Sequence, residues 1–290
     1  MPDNFTQRYR LERQLGHSPT SHTHLARDLE DDRFVALKIF TSQLPFDETF
    51  FELFSREVER VQQFHHPFIV PILNYGIHNR QPFLTSQFMP AGSLKDHLGQ
   101  PLVELRDIYQ TVRKLADPLD EAHSQGLVHQ NLKLTNLLLD EEGQLYLSDF
   151  GIPKMTDTAA MVAGTQTSGT PEYMSPEQIV GREPLDGRSD IYALGVIIFQ
   201  LLTGHLPFES DSPIGTMLAH LNRNLPTPSE LGVSVPHGCD AILIKAMAKD
   251  RDLRFGSVNE LANVLEVVSR GGGGTLPFSL NFPGELLVES

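Results

Sequence analysis

A second cysteine, a long apolar run, an excess of cationic side chains and an apolar leader are all missing from this 290-residue chain. Each absence removes a class of protein. With Cys239 as its one cysteine, the chain can form no intramolecular disulfide, which suits a reducing compartment. That thiol reads as a packed small hydrophobe rather than a nucleophile. The longest apolar stretch, residues 191–202, is too short to cross a bilayer and reads as a buried helix. Residues 1–10 are polar and mixed in charge, unlike a secretory leader. A formal net charge of −14 argues against nucleic acid and anionic membrane as main partners. The expectation is a soluble cytoplasmic protein.

What is present suffices for a core: 40% of the residues are hydrophobic, enough for one or two lobes. The first third alternates as strands do. Residues 9–16 and 23–28 read as a hairpin, and 34–40, 69–77 and 82–88 as three further strands. Between them, residues 52–64 set Phe54, Val58, Val61 and Phe64 at helical spacing. After Pro90-Ala91-Gly92-Ser93 the pattern turns helical. Residues 105–125 carry Ile108, Val112, Leu115 and Leu119 on one face, and further helices are expected at 190–202, 214–222, 239–248 and 258–268. Two short strands, 137–139 and 144–147, flank an acidic Glu141-Glu142-Gly143 turn. Residues 271–274 read as a flexible linker.

The chemistry concentrates in four stretches. Residues 129–136 read H-Q-N-L-K-L-T-N, and Val35-Ala36-Leu37-Lys38 lies on a strand, upstream of Glu57 on a helix. Asp149-Phe150-Gly151 follows thirteen residues after Asn136, and Gly169-Thr170-Pro171-Glu172-Tyr173-Met174-Ser175-Pro176-Glu177 comes later. In this order and spacing they resemble the eukaryotic-type serine/threonine protein kinases, the Hanks-type family of bacteria. The resemblance covers residues 9–268. It implies an α+β, bilobal protein-kinase-like fold. A small lobe, about 9–89, would hold a five-stranded antiparallel sheet with one main helix; a larger, mainly α-helical lobe would span about 90–268. Residues 269–290 would be a Gly-rich linker and tail.

The resemblance assigns roles residue by residue. Lys38 would contact the ATP α- and β-phosphates and pair with Glu57, while Gly16 stands in the phosphate loop. Ala36 and Leu138 would line the nucleotide pocket. Ser86 takes the gatekeeper place, and the hinge from Gln87 to Met89 would offer backbone groups to adenine. Asp149 and Asn136 would hold Mg²⁺, or Mn²⁺, through hard oxygen ligands. Lys133 would neutralise the transferring phosphate, with Thr170 bonded to residue 131. Glu177 with Arg254 matches a buried ion pair, and Asp190 a residue that holds the catalytic-loop backbone. Phe150, His129, Val61 and Ile72 would stack as an apolar spine. Thr156, Thr158, Thr165, Thr167 and Ser168 are the candidate phosphosites.

Three departures cut across this pattern. Asn131 replaces the catalytic Asp, and a carboxamide is a very poor base. Gln130 replaces the Arg that receives an activation-segment phosphate, so the usual charge-assisted switch is lost. In the glycine-rich loop, Ser18 and Ser21 replace glycines and Pro19 removes a donor, which predicts a looser grip on phosphates. His17, His22 and His24 crowd the same hairpin and read as solvated side chains, since no carboxylate or cysteine completes a ligand set. The leading expectation is a pseudokinase that binds ATP–Mg²⁺ and signals through conformation. The alternatives are a slow but genuine kinase acting on Ser/Thr hydroxyls of a protein substrate, and a nucleotide-free interaction scaffold. The sequence leaves open the protein partner, docking of the tail, and a homodimer through the small lobe.

Overall fold

In a computed structural model, the described residues are 5–18, 21–41, 48–98, 104–150, 171–181, 184–236 and 238–271. A one-turn helix, α1 (Phe5–Arg8), leads into β1 (Tyr9–Ser18), β2 (Ser21–Asp28) and β3 (Arg33–Phe40). With β4 (Ile72–His78) and β5 (Gln81–Gln87) they form an antiparallel sheet in the order β1-β2-β3-β5-β4. Alternation along β3 explains its two faces. Val35 and Leu37 are fully buried in a cluster with Phe5, Tyr9 and Phe83, whereas Ala36 and Lys38 point to the other side.

Helix α2 (Glu48–Gln63) starts a turn earlier than its apolar spacing indicated. Its stripe is shared between two cores. Phe54 and Val58 pack on Phe40 and Leu84 of the sheet, while Val61, followed by Phe64, joins the core of the large lobe. Strand β4 starts later than residue 69, for a definite reason. The Val70 N–H donates to Leu147 C=O (2.8 Å), and the Leu147 N–H donates to Phe68 C=O (2.9 Å). Residues 68–70 therefore pair with the large lobe instead of with the sheet.

The large lobe comprises α3 (Leu105–Ser124), the two-stranded β6 (Leu137–Leu139) and β7 (Leu145–Leu147), α4 (Pro176–Val180), α5 (Gly187–Thr203), α6 (Pro213–Asn222), α7 (Cys239–Ala246) and α8 (Val258–Ser269). Helix α5 is apolar nearly all round and accordingly lies at the centre, with Ile191, Leu194, Ile197, Ile198 and Phe199 buried. Asp186 caps its start by accepting the Arg188 N–H. Cys239 is buried, and desolvation with the neighbouring Asp240 pushes its thiol up to about 12, so it is inert packing. Among the described residues, no helix is long and apolar enough to cross a membrane.

Two buried ionic contacts fix the lobe around the site. Glu177 on α4 meets Arg254 through paired bonds of 2.6 and 2.8 Å, and Ser189 donates to the same carboxylate (2.7 Å). Burial opposes the Glu177 charge, but the Arg254 bonds outweigh it and hold the carboxyl below its ordinary value. Asp190 on α5 accepts His123 Nε2 (2.7 Å). Burial opposes the His123 charge, and Asp190, with Asp120 and Asp186 nearby, raises it above the ordinary 6.5. A Cβ at position 187 would strike the His123 ring, which is why α5 begins with glycine.

Removing one partner of a buried pair leaves the other charge uncompensated, so Glu177→Gln should cost about 3 kcal/mol in urea unfolding at neutral pH. A lowered carboxyl gives stability that is full above the unfolded value of 4.5 and fades as pH falls through the folded one, so the gap should narrow in acid. A gap that stayed constant down to pH ~3 would contradict the assignment. His123→Gln should behave in the opposite sense. A raised imidazole stabilises fully below 6.5 and its contribution disappears as pH rises through the folded value. The native protein should lead the variant by about 2 kcal/mol below that pH and lose the lead in mild alkali; a pH-independent lead would show that His123 is not charged.

Candidate functional site

The catalytic-loop stretch follows α3 and is folded by hydrogen bonds to its backbone. Asp190 Oδ2 accepts the His129 N–H (2.8 Å) and Asp190 Oδ1 accepts the Gln130 N–H (2.9 Å). His129 is buried and its imidazole pushed down, principally by desolvation, so the ring is neutral. Its Nδ1 accepts the Asn131 N–H (3.2 Å), which places the ring proton on Nε2. Asn136 Nδ2 then donates to the Asn131 C=O (2.8 Å), and the Asn136 C=O accepts both the Ser148 N–H (2.9 Å) and Ser148 Oγ (3.1 Å). One chain of bonds thus runs from Asp190 through residues 129–136 to Ser148, between the end of β7 and Asp149.

At Asp149 the geometry departs from the expected pairing. Lys38 Nζ bonds Asp149 Oδ2 at 2.7 Å. Burial works against the Asp149 carboxylate, and the Lys38 ammonium, with Lys133 as a further cation, outweighs it and keeps the carboxyl below its ordinary range. Glu57 instead lies 3.7 Å from its helix neighbour Arg56. Among the described residues no ion pair joins Lys38 to Glu57. The physical reason is competition: Lys38 has a half-buried carboxylate at full hydrogen-bond contact, and Glu57 has a cation on its own helix.

Of the expected apolar spine, the His129–Phe150 ring contact is direct and the other members share its core. The His129 and Phe150 rings lie 4.7 Å apart, Val61 belongs to the same cluster and Ile72 packs against it. Phe64 enters as well, 6.1 Å from Phe150. Arg60 of α2 donates to the Gly126 C=O (3.0 Å), so the helix is tied to the turn that opens the catalytic loop.

On the nucleotide side, β2 and β3 put Thr23 opposite Lys38, and β5 puts Ser86 opposite Ala36. Two small residues therefore face each other behind the cleft. Met89 is buried, Gln87 is exposed and its N–H is taken by Pro71 C=O (3.2 Å). Leu138 in β6 is half-buried and bridges to Ser93, just past the hinge. The glycine-loop hairpin is zipped further than expected. Gly16 lies inside β1 opposite Thr23, and a Cβ there would meet open space. Ser18 and Ser21, at the glycine positions, bond each other through their hydroxyls (2.9 Å). His17 and His22 are direct cross-strand partners, both exposed.

On the transfer side, a shallow concavity is lined by Gln130, Asn131, Lys133, Tyr173, Met174 and Gln178, among others. Tyr173 in this lining donates to Gln200 Oε1 (2.5 Å). Thr170, Gly151 and the phosphosite candidates Thr156, Thr158, Thr165, Thr167 and Ser168 lie outside the described residues, as does Pro19. Sequence reasoning overlooked Gln178, whose Nε2 donates to the Gln130 C=O (3.0 Å). The S-x-x-Q pattern from Ser175 to Gln178 is a readable capping-box signal that could have found it.

Comparisons with known proteins agree with this geometry. The family model for the protein kinase domain matches residues 9–264. The chain is 32% identical over 280 residues to the serine/threonine-protein kinase PknB of Mycolicibacterium smegmatis, covering 93% of this chain and 44% of that protein. It is 32% identical over 260 residues to the probable serine/threonine-protein kinase PknB of Lactococcus lactis, covering 89% and 41%. The chain thus spans less than half the length of these relatives. The kinase domain of Mycobacterium tuberculosis PknI superposes with a TM-score of 0.71 at 24% identity, covering 91% of this chain and 96% of that domain, a likeness of fold. With the small five-stranded lobe, the helical lobe and the ordered motifs between them, the chain belongs to the protein kinase family, as a catalytic domain of the Hanks type.

Proposed function

We propose that this chain binds ATP with a divalent cation and acts through the conformation of its kinase fold, with phosphoryl transfer impaired at Asn131. One observation carries the reading. The loop that presents residue 131 is fully bonded into place, yet the side chain it presents is a carboxamide. A carboxylate there would accept the substrate hydroxyl proton; a carboxamide can orient that hydroxyl but not take its proton. Losing general-base help slows transfer by about 10²–10⁴.

The residues fit ATP and Mg²⁺. Asp149 is held ionised, and Asn136 commits its Nδ2 to Asn131, so its Oδ1 is the atom it would offer a cation. Two hard oxygen groups suit Mg²⁺ better than a softer ion. When bound, the cation would neutralise charge on the phosphates. Lys38 would bind the α- and β-phosphates, exchanging part of its bond with Asp149 for them, and Lys133 would face the γ-phosphate. Ala36, Leu138 and the hinge from Gln87 to Met89 would enclose the adenine, with Gly16 over the phosphates. Glu57 would receive Lys38 if α2 turns inward. The setting is the cytoplasm, where ATP is available; the partner would be a protein.

A second reading, slow transfer to Ser or Thr hydroxyls, is favoured by the intact backbone frame at residues 129–136 and by the two relatives named as serine/threonine kinases. Both readings require nucleotide. Thermal unfolding with ATP–Mg²⁺ at about 100 times Kd should show about 2.7 kcal/mol of stabilisation, abolished in Lys38→Met. No stabilisation of the native protein would leave only a nucleotide-free scaffold, and stabilisation that survived in Lys38→Met would remove Lys38 from the site.

A further inference from the structure

We infer that Gln178 is a positioning residue that clamps the catalytic loop to the foot of the activation segment, by neutral hydrogen bonds instead of a phosphate–arginine contact. The inference rests on the kinase reading of residues 129–136, though not on nucleotide binding.

It starts from a strained backbone. Gln130 has φ +65°, one of five non-glycine residues with positive φ among those described. A side chain in the left-handed region costs about 1–2 kcal/mol, so the conformation persists only where surroundings impose it. Two side chains do so here, from two different helices. Asp190 on α5 accepts the Gln130 N–H at 2.9 Å, and Gln178 on α4 donates to the Gln130 C=O at 3.0 Å. Both polar groups of the peptide backbone at this residue are thereby fixed.

Gln178 is itself held. Its Oε1 accepts the Ser175 N–H and the Ser175 Oγ, both at 3.0 Å, as the third residue of α4 in a capping box. The amide orientation is forced. The backbone N–H of Ser175 needs an acceptor and the C=O of Gln130 needs a donor, so oxygen must face the first and nitrogen the second. Next along α4, Glu177 is locked to Arg254. The helix that closes the activation segment is therefore anchored in the core on one side and reaches the catalytic loop on the other.

The side chain at position 130 gives this meaning. A carboxamide cannot recruit a phosphate by charge. The loop is nonetheless held in place, and the element holding it is the terminal helix of the same segment that a phosphate would otherwise order. The clamp is constitutive. It takes no charge and no modification, and it would be released only if α4 moved away from the loop.

A substitution can separate the two ends of Gln178. Gln178→Glu keeps an acceptor for Ser175, so the cap survives, but its carboxylate cannot donate to the Gln130 C=O. Gln178→Met, of similar length, removes both. Ser175→Ala weakens the cap alone. Amide hydrogen exchange of the full chain, followed over residues 128–132, reads the clamp directly. Both Gln178 variants should exchange there about fivefold faster, the rate equivalent of one neutral hydrogen bond, and Ser175→Ala should not. Should Gln178→Glu prove unstable, Gln178→Met against Ser175→Ala still decides the matter. Unchanged exchange in folded Gln178 variants, or acceleration equal to that in Ser175→Ala, would overturn the inference. ATP-dependent stabilisation measured on the same samples judges the nucleotide reading separately, because the clamp is read without ligand.

Discussion

Asp190 lies 1% exposed on the central helix, and the amides of His129 and Gln130 and the ring of His123 converge on its two oxygens. Burial opposes its charge; three donors outweigh that and hold it ionised. A buried carboxylate satisfied in this way is expensive to disturb, so the loop it holds is fixed as firmly as α5 itself. His129 and Asn136 extend the order to Asp149. None of these bonds involves the side chain of residue 131. The fold can therefore keep a catalytic-loop geometry while the carboxylate expected at residue 131 is replaced by a carboxamide.

The nucleotide end follows a different logic. Lys38 and Asp149 satisfy each other at 2.7 Å, and each is a group that ATP and its cation would engage. Removing either alone would strand a largely buried charge, whereas a bound nucleotide offers both a new partner. Helix α2 is the element able to respond. It contributes Val61, followed by Phe64, to the large-lobe core, ties Arg60 to Gly126, and carries Glu57 unpaired with Lys38. Its contacts join the two lobes, so a turn of this helix would be felt at the catalytic loop. On the proposed reading, that is the route by which ligand binding would become a conformational signal.

Much of this was legible in the sequence because it depends on short-range pattern. Period-two runs located the five strands, and the spacing of Phe54, Val58, Val61 and Phe64 located α2. Motif order placed the Glu177–Arg254 pair and the hold of Asp190 on the catalytic-loop backbone, both of which the structure shows. The rest depended on choices between partners. Lys38 had two carboxylates within reach of its motif, and only packing decides for Asp149. Residues 68–70 looked like sheet but pair with β7, a tertiary preference that alternation cannot reveal. Ser18 and Ser21 read as damaged glycines; that they bond each other across a zipped hairpin is a matter of register. The clamp at Gln178 was hidden for another reason, since it acts on a backbone carbonyl and leaves no trace in residue type at position 130.

The central claim is that residue 131, and not the surrounding frame, limits chemistry. Transfer of labelled γ-phosphate to a generic protein substrate, with Mg²⁺ or Mn²⁺, compares the native chain with Asn131→Asp. The account predicts incorporation near background for the native protein and a gain of about 10²–10⁴ on restoring the carboxylate. Native transfer as fast as that of Asn131→Asp would contradict it and make this an active kinase with an unusual loop.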